Sequence, residues 1–251
     1  MPIILKSVEF AYGRTVVLKD VNWAVDIGVS GLLGPNGSGK TTLLNLLVGL
    51  TRPRSGEIIY GSASPPGRPS NGRARIGYVP QRFSVAGEMT VLDTISYAAW
   101  TNGVPAKGCA TAASKALATV QLDDHGRRRV RQLSGGQRQR MGIAAALAHE
   151  PDIVVLDEPT VGLDPGQRLR VREVIADIGR TKTVVLSTHL IEDIAHLCNH
   201  VGVLAQGRMA FDGTENELSE LIDNAQHEGV LGSDFERSYY ALIERLGAAN
   251  E

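Results

Sequence analysis

The sequence predicts an α/β fold: a mostly parallel sheet covered by helices, with a small helical lobe set into it. Three observations lead there. Short Val/Ile/Leu-rich runs alternate with helical stretches along most of the chain. The runs at 153–156 (IVVL) and 184–187 (VVLS) lack polar alternation, as strands buried on both faces do. Between 82 and 135 the strand signal fades and helical stretches replace it.

Taken in order, 29–33 reads as a strand feeding a glycine-rich turn, and 40–50 (KTTLLNLLVGL) as the helix behind that turn. The stretch 61–73, GSASPPGRPSNGR, is rich in Gly, Pro and Ser without hydrophobic pattern and predicts a surface loop. Helices are expected at 91–100 and 111–120, then at 137–148, followed by the buried strands at 153–156 and 184–187. Two amphipathic helices, 215–223 and 234–246, close the chain. These divisions predict a core lobe of about 1–81 and 150–213, a helical subdomain of about 82–149 and a helical tail of about 214–251.

Composition narrows the partners. The 251 residues are 43% hydrophobic and 21% charged, ordinary for a globular protein, and long enough to bury a sizeable core. A formal net charge of −1 provides no overall field for a polyanion, so no nucleic acid partner is expected. Cys109 and Cys198 form no paired or clustered motif and predict incidental thiols in a reducing compartment. The opening MPIILKSVEF predicts no secretory leader. No apolar run approaches the roughly 18 residues that span a bilayer, so work at a membrane would need a partner.

GPNGSGKT at 34–41 fits G-x-x-x-x-G-K-[ST] in the strand–turn–helix context that motif requires. Its glycines let backbone N–H groups curl round phosphates, and the helix N-terminus adds positive partial charge. Lys40 can reach the β- and γ-phosphates, and the Thr41 hydroxyl can take Mg²⁺. The apolar strand IVVLDE delivers Asp157 at its C-terminal end, where ligands of open parallel sheets bind. Asp157 is thus a second Mg²⁺ candidate, and Glu158 the candidate general base for an attacking water. LSGGQ at 133–137 ends 20 residues before Asp157 and opens a helix, so Ser134, Gly135 and Gly136 make a second anion-binding helix N-terminus. One nucleotide seldom needs two such cradles from one face of one molecule. The economical arrangement is two chains, each offering this cradle to the nucleotide held by the other.

With these motifs, and with FAYG around Tyr12, VPQ at Gln81, VGLD at Asp164 and STH at His189 in their order, the sequence resembles the ABC (ATP-binding cassette) ATPase family over nearly its whole length. The resemblance implies a P-loop NTPase (RecA-like) core with a mostly parallel sheet, an added antiparallel β part and an inserted α-helical subdomain. It implies an ATPase with ATP and Mg²⁺ as its cofactors. Nucleotide contacts fall to Tyr12, Gly34, Pro35, Asn36, Gly37, Ser38, Gly39, Lys40, Thr41 and Thr42, and across a dimer interface to Ser134, Gly135, Gly136, Gln137 and Asp164. Glu158, His189 and Gln81 take the catalytic roles, with Thr41, Gln81 and Asp157 at Mg²⁺.

The partners implied are integral membrane permease subunits and a second copy or homologous ABC subunit, at the cytoplasmic, inner face of the cell membrane. Segments such as GLTRPRSGEI and TVGLDPGQR are similar to bacterial exporter-type cassettes. The alternative is a soluble ABC ATPase of iron–sulfur assembly. For a membrane subunit, the surface 82–92 is the expected groove, with Phe83, Val85 and Met89 as apolar contacts and Glu88 exposed.

Overall fold

The computed structural model describes residues 1–61, 75–221 and 233–248. The loop expected at 61–73 lies outside them except for Gly61, as do the last two residues of the helix expected at 215–223. In chain order come β1 (Ile3–Tyr12), β2 (Thr15–Val25), β3 (Gly28–Leu33), α1 (Lys40–Leu47), β4 (Ser55–Tyr60) and β5 (Ile76–Val79). Then follow α2 (Val91–Thr101), α3 (Ala106–Thr119), α4 (Gly135–Leu147), β6 (Ile153–Asp157), α5 (Pro165–Gly179) and β7 (Thr183–Ser187). α6 (Ile191–Leu197), β8 (His200–Ala205), β9 (Arg208–Gly213), α7 (Glu215–Leu221) and α8 (Asp234–Ala248) complete the chain.

The chain divides into two compact units, Pro2–Gly61 with Ser187–Glu251, and Met1 with the described part of Ser62–Leu186. In the first unit β1 pairs antiparallel with β2 on one side and β4 on the other. β3 pairs in parallel with β8 from Ser30↔His200 to Leu33↔Val203, and β8 pairs antiparallel with β9. β3 is buried after its first residue, so its C-terminal end delivers the turn at Gly34 from a fixed base. Leu33, Ile194, Val201, Val203, Phe211 and Phe235 build one core cluster here, so α8 is packed into the fold through Phe235 and Tyr239. The apolar stripe of DFERSYYALIERL explains that docking: its buried positions recur at helical spacing and its acids and arginines stay out.

In the second unit β5 and β6 pair in parallel from Ile76↔Ile153 to Val79↔Leu156, and β7 lies beside β6. β6 and β7 are buried at every residue, which accounts for their lack of polar alternation. Helices α2, α3 and α4 pack on one another. Thr90 starts α2 by accepting the Asp93 amide at 3.1 Å. Just before it, the segment 87–92 is laced to 126–131 by main-chain bonds: Val91 N–H to Arg128 O at 2.9 Å, Val130 N–H to Met89 O at 3.0 Å and Arg131 N–H to Gly87 O at 3.1 Å. Glu88 adds ion pairs to Arg129 and, at 2.7 Å, to Arg131.

The α/β class and the parallel pairing with added antiparallel strands are as the sequence predicts. Most boundaries shift by a residue or two, and two shift by more. α1 ends at Leu47, because Gly49 adopts φ 75 and turns the chain out of the helix. α3 starts at Ala106, five residues before the expected 111, led in by Pro105, whose fixed φ suits a helix start.

Candidate functional site

The phosphate loop belongs to the first unit. Gly34 is buried with φ 154, and a Cβ there would collide with the main-chain carbonyl oxygen of Leu204 at the end of β8. Pro35, Asn36 and Gly37 form the exposed tip, and Gly39, in the left-handed region at φ 108, opens α1. A side chain on Gly39 would come within 2.8 Å of Leu18 Cδ2, so β2 backs the loop. Lys40 folds over the loop and its ammonium donates to Gly34 O at 2.6 Å and Pro35 O at 3.0 Å. That geometry holds a positive charge above the turn.

Two features fit a polyphosphate here. The N-cap of α1 is Gly39, which has no side chain to cap the helix, and a helix start of this kind suits an anion. Ser38 Oγ is buried and has no hydrogen-bond partner, although a buried hydroxyl costs free energy until it finds one. Thr42 is buried within the helix and Thr41 is exposed at its start.

His189 and Tyr12 belong to the same unit. Thr188 N–H donates to Leu32 O in β3 at 3.4 Å, so His189 stands one residue beyond a tether to the strand that feeds the phosphate loop. The buried Thr188 also accepts the Leu190 amide at 3.0 Å, and this turn leaves His189 exposed between them. Tyr12 ends β1, 53% exposed, with its ring edge-on to Phe10 at 4.8 Å. An exposed, rigidly braced ring suits stacking on a flat base.

The second unit holds the acids. Asp157, 4% exposed, ends the fully buried β6. Burial, with the Asp157 charge adding to it, raises the Tyr78 phenol above its ordinary range, placing that carboxylate near the β5 tyrosine. Register does the rest. Val79 pairs with Leu156, so Gln81 and Glu158 stand two residues beyond matched positions on neighbouring strands. Glu158 takes φ 52, left-handed backbone that a non-glycine residue seldom adopts. Gln81 is exposed, as a group waiting on a ligand would be.

LSGGQ is a helix start. Ser134 caps α4 by accepting the Gln137 amide at 3.3 Å, and Gln137 Oε1 accepts the Ser134 amide at 3.0 Å, a reciprocal capping box. Gln137 Nε2 also meets His125 Nε2 at 2.9 Å. Asp164 caps α5 in turn, accepting the Gln167 amide at 2.9 Å with Pro165 in the first helical position.

Two residues of the expected 82–92 surface make contacts of their own. Phe83 lies against α4, since a Cβ on Gly142 would come within 2.5 Å of its ring, so it packs the helices together as well as showing a half-exposed face. Glu88 is exposed but committed to Arg129 and Arg131. Gln167, outside the motifs, also serves the site: its side-chain oxygen accepts the Gly136 amide at 2.8 Å. Its spacing from Asp164, D-x-x-Q, is a capping-box signature and marks it as a residue that serves a helix terminus.

Known proteins bear on this set. Residues 18–161 match the family model described as ABC transporter. The "Nod factor export ATP-binding protein I" of Cupriavidus metallidurans is 35% identical over 234 residues, 92% of this chain and 77% of that protein. The "Linearmycin resistance ATP-binding protein LnrL" of Bacillus subtilis is 29% identical over 248 residues, 98% of this chain and 80% of its own length. Among solved structures, a dimeric post-hydrolysis state of an ATP-binding cassette bound to ADP and Pi superposes with a TM-score of 0.69 at 27% identity, covering 84% of this chain and 98% of that one. The family match spans more than half of the residues, and the chain therefore belongs to the ABC transporter family, as an ATP-binding subunit.

Proposed function

We propose that this chain binds ATP with Mg²⁺, closes on a second copy or a homologous subunit, and uses hydrolysis to drive export through separate integral membrane permease subunits at the cytoplasmic face of the cell membrane. The observation that carries the reading is the pair of separate helix starts, α1 behind the phosphate loop and α4 behind Ser134, each suited to an anion. One chain's own nucleotide accounts for the first, and a facing chain's nucleotide accounts for the second.

In this reading the amides of the 34–42 loop and Lys40 hold the phosphate chain, and Tyr12 stacks on the base. Thr41, Asp157 and Gln81 would hold Mg²⁺. Bound there, Mg²⁺ would neutralise charge building on the phosphate oxygens. Glu158 takes the proton of the water that attacks the γ-phosphorus as the bond to ADP breaks, and His189 donates to the departing phosphoryl oxygens. The left-handed backbone at Glu158 holds its carboxylate by the main chain, which lowers the reorganisation asked of the side chain. Ser134, Gly135, Gly136, Gln137 and Asp164 act on the facing chain's nucleotide. A core lobe of about 1–81 and 150–213 and a helical subdomain of about 82–149 divide the labour, the latter meeting the permease through its surface at 82–92. No helix among the described residues is long and apolar enough to cross a membrane.

Export is favoured over iron–sulfur assembly because the similar proteins carry export and resistance names. Two measurements test the reading together. Sedimentation of Glu158→Gln with ATP and Mg²⁺ should show a dimer that is absent without nucleotide. Purification from the native host in gentle detergent should bring down an integral membrane protein. A chain that stays monomeric at saturating ATP, recovered only with a soluble scaffold, would refute it.

A further inference from the structure

We propose that the C-terminal helix α8 braces the nucleotide site, and that Gln206 is the positioning residue that joins this helix to the phosphate loop. The inference rests on the 34–42 loop as the seat of ATP and adds an element that carries none of the motifs.

The whole path lies within one compact unit. Near its start α8 is anchored by Phe235 and Tyr239, which share a core cluster with Leu33, the residue before Gly34. Leu246 lies in the last turn of α8, where carbonyls run out of donors within their own helix. Gln206 Nε2 donates to the Leu246 carbonyl at 2.9 Å, across 40 positions of sequence. Gln206 and Gly207 form the turn between β8 and β9, at φ 50 and φ 79, with Ala205 paired to Arg208 around them. Left-handed backbone at both positions makes a tight hairpin of fixed shape, so the Gln206 side chain leaves from a rigid base.

This turn meets the phosphate loop at both ends. Leu204 O, just before the turn, is the atom a Cβ on Gly34 would strike. Gly207 O accepts the Lys19 amide at 2.8 Å, and a Cβ on Gly207 would strike Val17 O, so the turn is seated on β2. From the other side of that seat, Val17 and Leu18 back Gly39, within 3.3 and 2.8 Å of where its Cβ would stand. Gly34 and Gly39 bracket the loop, and both lean on the β8–β9 turn. Contacts this close transmit displacement rather than absorb it, so a turn released from α8 leaves both ends of the loop freer. ATP must then order them as it binds, and that costs affinity.

The test compares Gln206→Glu and Gln206→Lys in the full chain. Glutamate keeps the size and backbone demand of glutamine, but its carboxylate cannot donate and is repelled by the carbonyl end of a helix. Lysine keeps a donor, and its charge suits that end. The readouts are the Kd for ATP with Mg²⁺ and the hydrogen exchange of amides 242–248 with and without that nucleotide. Gln206→Glu should raise the Kd about twofold to tenfold, the range that one neutral hydrogen bond spans, and Gln206→Lys should restore it. Coupling between sites is reciprocal, so ATP should slow exchange at 242–248 in the wild type and in Gln206→Lys, and not in Gln206→Glu. A wild-type Kd in Gln206→Glu would overturn the proposal, as would a shift that Gln206→Lys leaves in place or an exchange rate at 242–248 that ATP does not change. Lys40→Ala separates the two levels: if it binds ATP as tightly as the wild type, the reading of the loop itself fails, whatever Gln206 does.

Discussion

Glu158 carries its carboxylate on a backbone that ordinary residues avoid, and this strain is measurable. At φ 52 a Cβ crowds the following carbonyl, at a cost of roughly 1–2 kcal/mol. Replacing Glu158 by Ala and by Gly removes the same carboxylate and all its interactions, so comparing the two variants isolates the backbone. In a regular element glycine is the less stable of the pair by roughly 0.5–1 kcal/mol, because it surrenders more chain entropy. Here the left-handed penalty falls on alanine alone and the order inverts. Subtracting one effect from the other leaves Glu158→Gly ahead by roughly 0.5–1 kcal/mol, or about 1–4 °C in melting temperature for a chain of this size. Thermal melts by circular dichroism measure the difference, and ATP turnover should be lost in both variants. Glu158→Ala matching or exceeding Glu158→Gly in melting temperature would refute the strain argument. Turnover surviving in either would refute the base.

Three further outcomes follow from particular contacts. Gly34→Ala meets the Leu204 carbonyl at a positive φ, so it should cost roughly 1–3 kcal/mol and weaken ATP binding, read by melts with and without nucleotide. Phe235→Ala empties a core position 2% exposed on α8, and should cost about 3–5 kcal/mol in denaturant unfolding. Burial holds the Tyr60 phenol up at about 12 from its ordinary 10, with its hydroxyl donating to Leu47 O at 2.7 Å. A raised acid pKa stabilises the fold fully below pH 10 and loses that contribution as pH climbs towards 12. Tyr60→Phe should therefore flatten the fall in stability across that window in alkaline melts.

The buried strands, the phosphate-loop turn and the helix behind LSGGQ were legible because each depends on residue types at short, fixed offsets. IVVLD has no polar face to show, GPNGSGK must turn tightly, and S-x-x-Q caps a helix whatever surrounds it. α3 was misplaced because AKGCA carries no apolar period, and its start depends on Pro105 instead. β1 and β2 pair with register shifts that blur the alternation of their buried positions, so the residues alone did not announce them. Gln167 and Phe83 were invisible for another reason: their partners, Gly136 and Gly142, are set by how α4 packs, which no local spacing encodes. For the candidate site, the motifs were thus readable and the contacts that brace them were not.

The central claim is that Lys40 and Glu158 serve different steps, one holding nucleotide and the other activating water. ATP affinity and ATP turnover, measured side by side on Lys40→Ala and Glu158→Gln, test it most directly. Lys40 Nζ is positioned over the phosphate loop by Gly34 O and Pro35 O, so its loss should weaken ATP binding. Glu158→Gln keeps shape and backbone, so it should bind ATP as wild type does while turnover falls by about two orders of magnitude or more. Near wild-type turnover in Glu158→Gln, or undiminished ATP affinity in Lys40→Ala, would contradict the account.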